Sequence, residues 1–459
     1  MSAAAVAVGA YVLLARPPRT KELDEMRADF ARGNYQQCID RVVTQPQVFM
    51  TDSVKRGQSN LRHLGGSKAF PMVMPDTEFL RRRAFYAKVA ARLNRADTRE
   101  TVLAAFDFVV ANVASAAGPG EKAGIGVTPD IVLLRGYGVC DRGAWAFCTL
   151  LEQLRIPAYV IYLRDPETNV SRHTIAGAEI DGRILLFDTY AGMPVLNAEG
   201  RIASLQDVLK DPAGIDSALI GGKTQLVTGR EVANGAVFLT FEPEAIHPLS
   251  AALQDALGEG GPVLYQDYRK ALGHVGAAVF PSVPVDDQFH RLVNPKSGCL
   301  LGLWDYPFRI GYNMRIADYR KEVEGAHQWV RTLEDSRRTE LIGGDLGTAR
   351  VGYESLISSG TAQADAVAAA EFFRASLLTR MMTEEGLPLA SKLLQDHPET
   401  YWRDQMLQTL GEALAKAGRY AEAIERLKQV SGPRAVRAAA FIEAARGSRL
   451  PNETMNGER

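Results

Sequence analysis

Cys140, His173 and Asp188 are the residues of this chain whose types and order suit thiol chemistry. A cysteine can attack an acyl carbon as its thiolate, a histidine can carry the proton, and a carboxylate can orient the histidine ring. Cys140 follows the glycine-rich segment 135–139 and opens a stretch with helical spacing. The pattern therefore predicts a nucleophile, a general base and an orienting acid for acyl transfer.

The segment after Cys140 predicts an amphipathic helix. Apolar residues recur at helical spacing and form one stripe, while Arg142 lies off it. The stripe consists of Ala144, Phe147, Cys148, Leu151 and Leu154. Gly136 and Gly138 are expected to form a tight turn before the helix. Cys140 then lies in the first turn, where unpaired N–H groups and the helix dipole favour thiolate over thiol. Cys148 is predicted to be a core residue.

Two strands are predicted over residues 172–180 and 183–190, and the Asp-Gly pair between them favours a tight hairpin turn. When the strands are paired across this turn, His173 falls opposite Tyr190, and Asp188 is its diagonal neighbour on the same face. Diagonal neighbours lie about 7–8 Å apart at Cα, so Asp188 can accept a hydrogen bond from the His173 ring. A slip of one residue would place the two side chains on opposite faces.

The segment from about residue 79 to 195 resembles the transglutaminase-like superfamily, the papain-related cysteine enzymes. That family has Gly-x-Cys, a small residue four positions after the cysteine, a leucine-rich helix, and Gly-Ile-Pro-Ala before a strand. The matching residues are Gly138-Val-Cys140, Ala144, Leu150-Leu151 and Arg155-Ile-Pro157-Ala158. A helix predicted over 101–113 fits the same pattern. Arg155 replaces the family's glycine, and Ile175 stands where the family often has an aromatic residue.

The resemblance implies an α+β fold with a papain/transglutaminase-like core, in which the helix that carries the cysteine packs on an antiparallel sheet. N- and C-terminal helical segments are expected to flank this core. The resemblance also implies that Cys140 is the nucleophile, His173 the general base and Asp188 the orienting acid. The implied activity is acyl transfer or hydrolysis at an amide of a protein or peptide, as in a peptidase, a deamidase or a crosslinking enzyme. Because Ile175 replaces the aromatic residue, a catalytically inactive binding or adaptor protein is the alternative.

The composition is that of a globular protein, and 459 residues predict two or three domains. A formal net charge of -1 indicates no nucleic-acid partner. Four cysteines in so long a chain do not form a disulfide framework, and Cys38 and Cys299 receive no role. The chain has no evident acidic calcium loop and its other histidines are scattered, so we expect neither a metal nor a cofactor.

The chain begins with an apolar run over residues 3–15, followed by basic and proline residues over 16–21. The run is shorter than the about 20 residues that span a membrane, and no basic residue precedes it as in an export signal. Three interpretations stay open: association with a membrane as an anchor, export, or the start of an alanine-rich helix. The location of the protein is therefore left undetermined.

Deleting the anchor-like or signal-like segment 1–21 is expected to raise solubility and to leave the melting temperature nearly unchanged. Pro17 and Pro18 interrupt any helix that continues from this segment into the body of the protein. Thermal unfolding of the full and shortened chains tests this expectation. A fall of many degrees would instead mean that the segment packs into the core.

The rest of the chain divides by pattern into five parts. They are a helical N-terminal segment over 22–70, the transglutaminase-like domain over 71–245, a partly irregular connector over 246–315, a helical region over 316–446, and a disordered tail over 447–459. Within the helical region, residues 407–427 resemble one tetratricopeptide unit. Gly411 and Ala423 let its two helices pack closely, and Gly418 ends the first. A single unit must pack on something else, and it is either a site for a protein partner or a plain helical hairpin.

Overall fold

The structure is a computed structural model that describes residues 20–49, 73–117, 128–279, 291–293, 300–303 and 328–446, apart from positions 221, 241, 361 and 363. The apolar run 3–15 and the tail 447–459 lie outside the described residues. Among the residues described, no helix is both long enough and apolar enough to cross a membrane. The first described helix begins at Thr20, so a truncation that ends at residue 19 preserves it.

The fold is mixed α+β. Its α-helices are α1 Thr20–Ala31, α2 Tyr35–Thr44, α3 Pro46–Phe49, α4 Thr77–Leu93, α5 Thr98–Asn112, α6 Pro129–Arg135, α7 Cys140–Gln153, α8 Leu205–Lys210, α9 Gly229–Ala233, α10 Pro248–Leu257, α11 Tyr268–Val279, α12 Gln328–Leu341, α13 Leu346–Ser358, α14 Ala364–Arg380, α15 Gly386–Asp396, α16 Arg403–Lys416, α17 Tyr420–Leu427 and α18 Ala435–Arg446. Its strands are β1 Ala114–Ser115, β2 Tyr137–Gly138, β3 Ala158–Arg164, β4 Ser171–Ile180, β5 Arg183–Asp188, β6 Met193–Pro194, β7 Leu219–Ile220, β8 Lys223–Thr224, β9 Ala236–Leu239, β10 Arg291–Val293 and β11 Leu300–Leu303.

The main sheet has the strand order β10-β11-β9-β3-β4-β5-β6. In the five-strand part of the sheet from β9 to β6, each strand is antiparallel to the next. Strand β11 runs parallel to β9 on the other side. The strands β1 and β2 form a separate parallel pair in which Ser115 lies opposite Gly138. This pair places β1 directly beside the segment that leads into Cys140.

Helix α7 occupies the centre of the molecule. It packs on β3 and β4, and α4, α5 and α6 cover its other side. The rings of Phe106, Phe147 and Phe187 meet where α5, α7 and β5 converge, with centroids 5.3–5.8 Å apart. The predicted apolar stripe is buried except at its end, where Leu154 is partly exposed. Arg142, expected to lie off the stripe, is also only 5 % exposed, because the helix is surrounded by protein on every side.

The hairpin of β4 and β5 follows the predicted register. Asp181 and Gly182 have φ angles of +52° and +74°, and positive angles at both central residues define a type I′ turn. Ile180 pairs with Arg183 and the pairing continues without a slip along both strands. The two-residue turn fixes this register locally, which is why the sequence alone predicts it.

The stretch 246–315, expected to be a partly irregular connector, contains two helices and two strands in its described residues. Helix α10 packs against the N-terminal helices α1, α2 and α3. Cys38 lies buried in this cluster, where burial raises the pKa of its thiol to about 11. Strand β11, in a proline-rich part predicted to be irregular, pairs with β9 and extends the main sheet. The pairing partner is distant in sequence, so no local pattern indicates it.

Residues 328–446 form the C-terminal helical region, α12 to α18. The hairpin of α16 and α17 has the predicted close approach, since a Cβ added at Gly411 would lie 2.6 Å from Leu427 Cγ. Gly418, with a φ angle of +74°, ends α16 as expected. The region packs against α5, β1 and β2 of the core. The hairpin is therefore part of a larger packed structure, as a single unit requires.

Candidate functional site

Helix α7 begins at Cys140, as the sequence predicts. Val139 precedes it, and its apolar side chain offers no cap to the N–H groups of the first turn. Gly136 has the left-handed φ angle of +72° that a tight turn requires, whereas Gly138 lies in strand β2. Cys140 is partly exposed, while Cys38 and Cys148 are buried. Of the cysteines described, Cys140 is therefore the one that a reagent or substrate can approach.

Close contact between α7 and the end of β5 depends on Gly143. A Cβ at this position would lie 2.9 Å from Thr189 Oγ1, the residue after Asp188. The glycine thus lets the first turn of α7 approach the end of β5, which carries Asp188. The sequence analysis missed this residue, although a glycine inside a helix signals close packing.

His173 and Asp188 are hydrogen-bonded, with 2.8 Å between His173 Nε2 and Asp188 Oδ2. The other carboxylate oxygen, Oδ1, accepts hydrogen bonds from the backbone N–H groups of Tyr190 at 3.0 Å and Ala191 at 2.9 Å. Asp188 is only 3 % exposed. Because the backbone fixes Oδ1, Oδ2 is held in one position toward the histidine ring. The structure therefore brings together the pair that the hairpin register predicts.

The electrostatic surroundings favour a protonated His173 ring. Burial by itself would lower its pKa, but the charge of Asp188, its hydrogen bond, and the hydrogen bond with the Cys140 side chain raise the pKa to about 10. Nε2 is bound to Asp188, which leaves Nδ1 as the ring nitrogen for the Cys140 sulfur. At neutral pH the charged ring therefore lies between the Asp188 carboxylate and the Cys140 sulfur.

Residues distant in sequence complete the surroundings of Asp188. The Ser115 hydroxyl donates to Tyr190 O at 2.6 Å and accepts from Arg434 Nε at 2.7 Å. Arg437 Nη1 donates to Gly192 O at 2.8 Å. The sequence analysis missed Ser115 and both arginines, because nothing in their local sequence indicates a position beside Asp188.

The C-terminal helical region also contacts the segment that precedes Cys140. Trp402 Nε1 donates to Gly136 O at 3.2 Å, and the Tyr401 ring stacks on the Tyr137 ring with 5.3 Å between centroids. A cleft of about 230 Å³ lies between β1 and this region. Ser115 and Tyr401 line it, and Tyr401 is 45 % exposed. Cys140, His173 and Asp188 do not line this cleft, and it is the segment leading into Cys140 that lies at the junction of the core and the C-terminal helices.

The arrangement is suited to nucleophilic chemistry, because the His173 ring is hydrogen-bonded both to the Cys140 thiol at the start of α7 and to the Asp188 carboxylate. In the described part of the chain, no group of three His, Cys, Asp or Glu side chains is placed to hold a metal ion. Comparison with protein-family models, with curated proteins and with solved structures finds no match to this chain.

Proposed function

We propose that this protein is a transglutaminase-like thiol enzyme that transfers or hydrolyses an acyl group at an amide, with Cys140, His173 and Asp188 as its triad. The observation that carries the proposal is the 2.8 Å bond between His173 Nε2 and Asp188 Oδ2, with the Cys140 side chain bonded to the same ring. A buried carboxylate that fixes a histidine beside a helix-start thiol is the arrangement that activates a nucleophile.

In the first step, the Cys140 thiolate attacks the carbonyl carbon of the amide and forms a carbon–sulfur bond. The backbone N–H of Cys140 belongs to the uncapped first turn of α7, and we assign it the role of stabilising the oxyanion. The carbon–nitrogen bond then breaks, and the His173 imidazolium gives its proton to the departing nitrogen. The products of this step are a free amine or ammonia and a thioester on Cys140.

In the second step, neutral His173 takes a proton from the acyl acceptor, which attacks the thioester carbon. The carbon–sulfur bond breaks and returns the thiolate, and the proton on His173 restores the imidazolium. Water as the acceptor gives a peptidase or a deamidase, and an amine gives a crosslinking enzyme. Asp188 stabilises the imidazolium and fixes the ring orientation in both steps.

The packing of α7 on an antiparallel sheet, with His173 and Asp188 on the neighbouring strands β4 and β5, supports a papain/transglutaminase-like core. The alternative of an inactive adaptor depends on Ile175, which replaces an aromatic residue of the family. Ile175 is fully buried in a core cluster with Trp145 and Leu163. Its side chain therefore serves core packing.

The test is turnover of a peptide library that contains glutamine, asparagine and ordinary peptide bonds, with and without a fluorescent primary amine. We expect the wild-type protein to convert one amide class, and mass spectrometry of the product distinguishes cleavage, deamidation and amine incorporation. Cys140→Ala should abolish conversion, because no other described cysteine is exposed at the site.

Cys148→Ala is the matched control, since Cys148 lies in the same helix but is buried in the core. It should retain turnover. Conversion by Cys140→Ala at the wild-type rate would contradict the proposal. A wild-type protein that converts no amide and whose Cys140 does not react with alkylating reagents would favour the adaptor.

A further inference from the structure

The turn that carries Asp188 is packed against the C-terminal helical region. Gly192 N–H donates to Asp188 O at 2.8 Å and closes the turn. Gly192 has a φ angle of +74°, and a Cβ there would lie 2.7 Å from Arg434 Nη1 and 3.0 Å from Arg437 Cδ. The two arginines therefore lie directly on the turn, and its conformation depends on what they contact.

Arg434 links this turn to the end of α5. Its Nε donates to Ser115 Oγ at 2.7 Å, and Ser115 Oγ donates to Tyr190 O at 2.6 Å. Its Nη2 donates to Val113 O at 2.8 Å and its Nη1 to Val110 O at 3.2 Å. One planar guanidinium thus fixes Ser115 relative to the backbone that precedes it, and Ser115 fixes Tyr190.

The position of Arg434 is electrostatically unfavourable. Its side chain is 2 % exposed, and its bonds go to a hydroxyl and to backbone carbonyls, which carry no charge. Burial, followed by repulsion from Arg437, lowers its pKa to about 9, against the opposing charges of Asp188 and Glu412. Desolvation of the guanidinium therefore opposes folding, and its hydrogen bonds to Ser115 and to the Val110 and Val113 carbonyls offset that cost.

We propose that Arg434 is a positioning residue of the Cys140 site, which acts through Ser115 and Tyr190 to hold the turn that presents Asp188 to His173. This inference rests on the proposed function. The Tyr190 N–H is one of two backbone donors to Asp188 Oδ1, so a displaced Tyr190 holds the carboxylate less firmly. Through Arg434, the C-terminal helical region then contributes to the geometry of the site and cannot be removed as a separate scaffold.

The consequence is a change in the charge state of the site. If Asp188 is no longer hydrogen-bonded to His173, the carboxylate raises the pKa of the ring less. The ring then loses its proton at a lower pH. Cys140 then lacks a positive charge beside it in the neutral range, and its alkylation should become dependent on pH. A merely structural arginine would change the melting temperature without changing this pH profile.

The experiment measures the rate of Cys140 alkylation by iodoacetamide at pH 6 and pH 9 in the full-length protein. For the wild type, the two rates should agree within about twofold, since the ring is protonated at both. For Arg434→Lys, the ratio of the pH 6 rate to the pH 9 rate should fall by at least about fivefold, because one ammonium cannot replace the three bonds of the guanidinium. Ser115→Ala keeps the arginine and removes the link to Tyr190, and it should lower the ratio in the same direction.

Arg380→Lys is the matched control. Arg380 also joins the C-terminal helical region to the end of α5, through a hydrogen bond to Asn112 Oδ1 at 3.1 Å. Its hydrogen bonds to Asn112 and Glu340 do not reach the Asp188 turn. The ratio of the pH 6 to the pH 9 alkylation rate of Arg380→Lys should equal that of the wild type. If Arg434→Lys does not fold, Ser115→Ala decides the question alone. An unchanged ratio in folded Arg434→Lys or in Ser115→Ala overturns the inference, whereas a wild type whose Cys140 is unreactive overturns the proposed function instead.

Discussion

Iodoacetamide is expected to alkylate Cys140 at pH 6 at least about a thousandfold faster than Cys38 or Cys148. Burial raises the pKa of the Cys38 thiol to about 11, so about one molecule in 100,000 carries its thiolate at pH 6. Burial raises the pKa of Cys148 still further. Cys140 instead lies partly exposed, at the start of α7 and beside the positively charged His173 ring.

The pH dependence of this reaction has a defined sign. The raised His173 pKa of about 10 keeps the ring charged from pH 6 to pH 9, so the rate should be nearly flat over that interval. An ordinary thiol would gain about tenfold for each pH unit below its pKa. Peptide mapping by mass spectrometry after timed quenching measures all four cysteines in one digest. Labelling of Cys38 or Cys299 first, with Cys140 labelled only after unfolding, would make the nucleophile assignment wrong.

Asp188→Asn is expected to lower turnover by about three to four powers of ten while the fold stays intact. The Asn side-chain oxygen can still accept the N–H groups of Tyr190 and Ala191, which turns its NH₂ toward His173 Nε2. Nε2 must then act as an acceptor, and the ring proton moves to Nδ1, the nitrogen that faces Cys140. A ring in this tautomer cannot take a proton from the thiol. The substitution also removes the charge that stabilises the imidazolium.

Asp188→Ala should be equally inactive and less stable, because the buried Ala191 N–H loses its acceptor at a cost of about 1–3 kcal/mol and the half-buried Tyr190 N–H loses the same acceptor. His173→Ala should lower turnover at least as far, and the double variant should be scarcely worse than either single one, since the two residues act as a unit. Turnover and melting temperature, measured together, separate the catalytic effect from the structural one.

The matched control for Asp188→Asn is Asp165→Asn. Asp165 follows β3, and its Oδ1 likewise accepts two N–H groups, those of Glu167 and Thr168, in a turn, but the residue is half-buried and these hydrogen bonds are exposed. It should keep wild-type turnover. If Asp188→Asn keeps wild-type turnover while His173→Ala is inactive, another residue orients the histidine and the role assigned to Asp188 is wrong.

Much of the candidate site follows from local sequence. The Asp181-Gly182 turn fixes the register of β4 and β5, and the register places Asp188 within reach of His173. The helical period after Cys140 predicts where α7 begins, because the glycine-containing segment before it cannot continue the helix. These features depend on neighbours within a few residues, so the chain specifies them before it folds.

Other elements could not be predicted, because their partners are far away along the chain. Strand β11 finds its place beside β9, and α10 closes over the N-terminal helices. The buried position of Arg142 is a further example, since the helical stripe shows only that α7 has an apolar face. Coverage of the remaining faces depends on which elements pack there, and that depends on the whole fold.

The sequence by itself determined the order of Cys140, His173 and Asp188, the helix start and the hairpin register, since short-range geometry controls each of them. Only the tertiary structure decided what surrounds Asp188. Ser115 and Arg434 are 319 positions apart, and Trp402 and Gly136 are 266 apart, yet each pair is hydrogen-bonded. Such contacts form when the C-terminal helical region docks on the core. In these contacts, side-chain donors form hydrogen bonds with polar groups that are buried in the core. The need for such donors leaves no periodic pattern in the sequence.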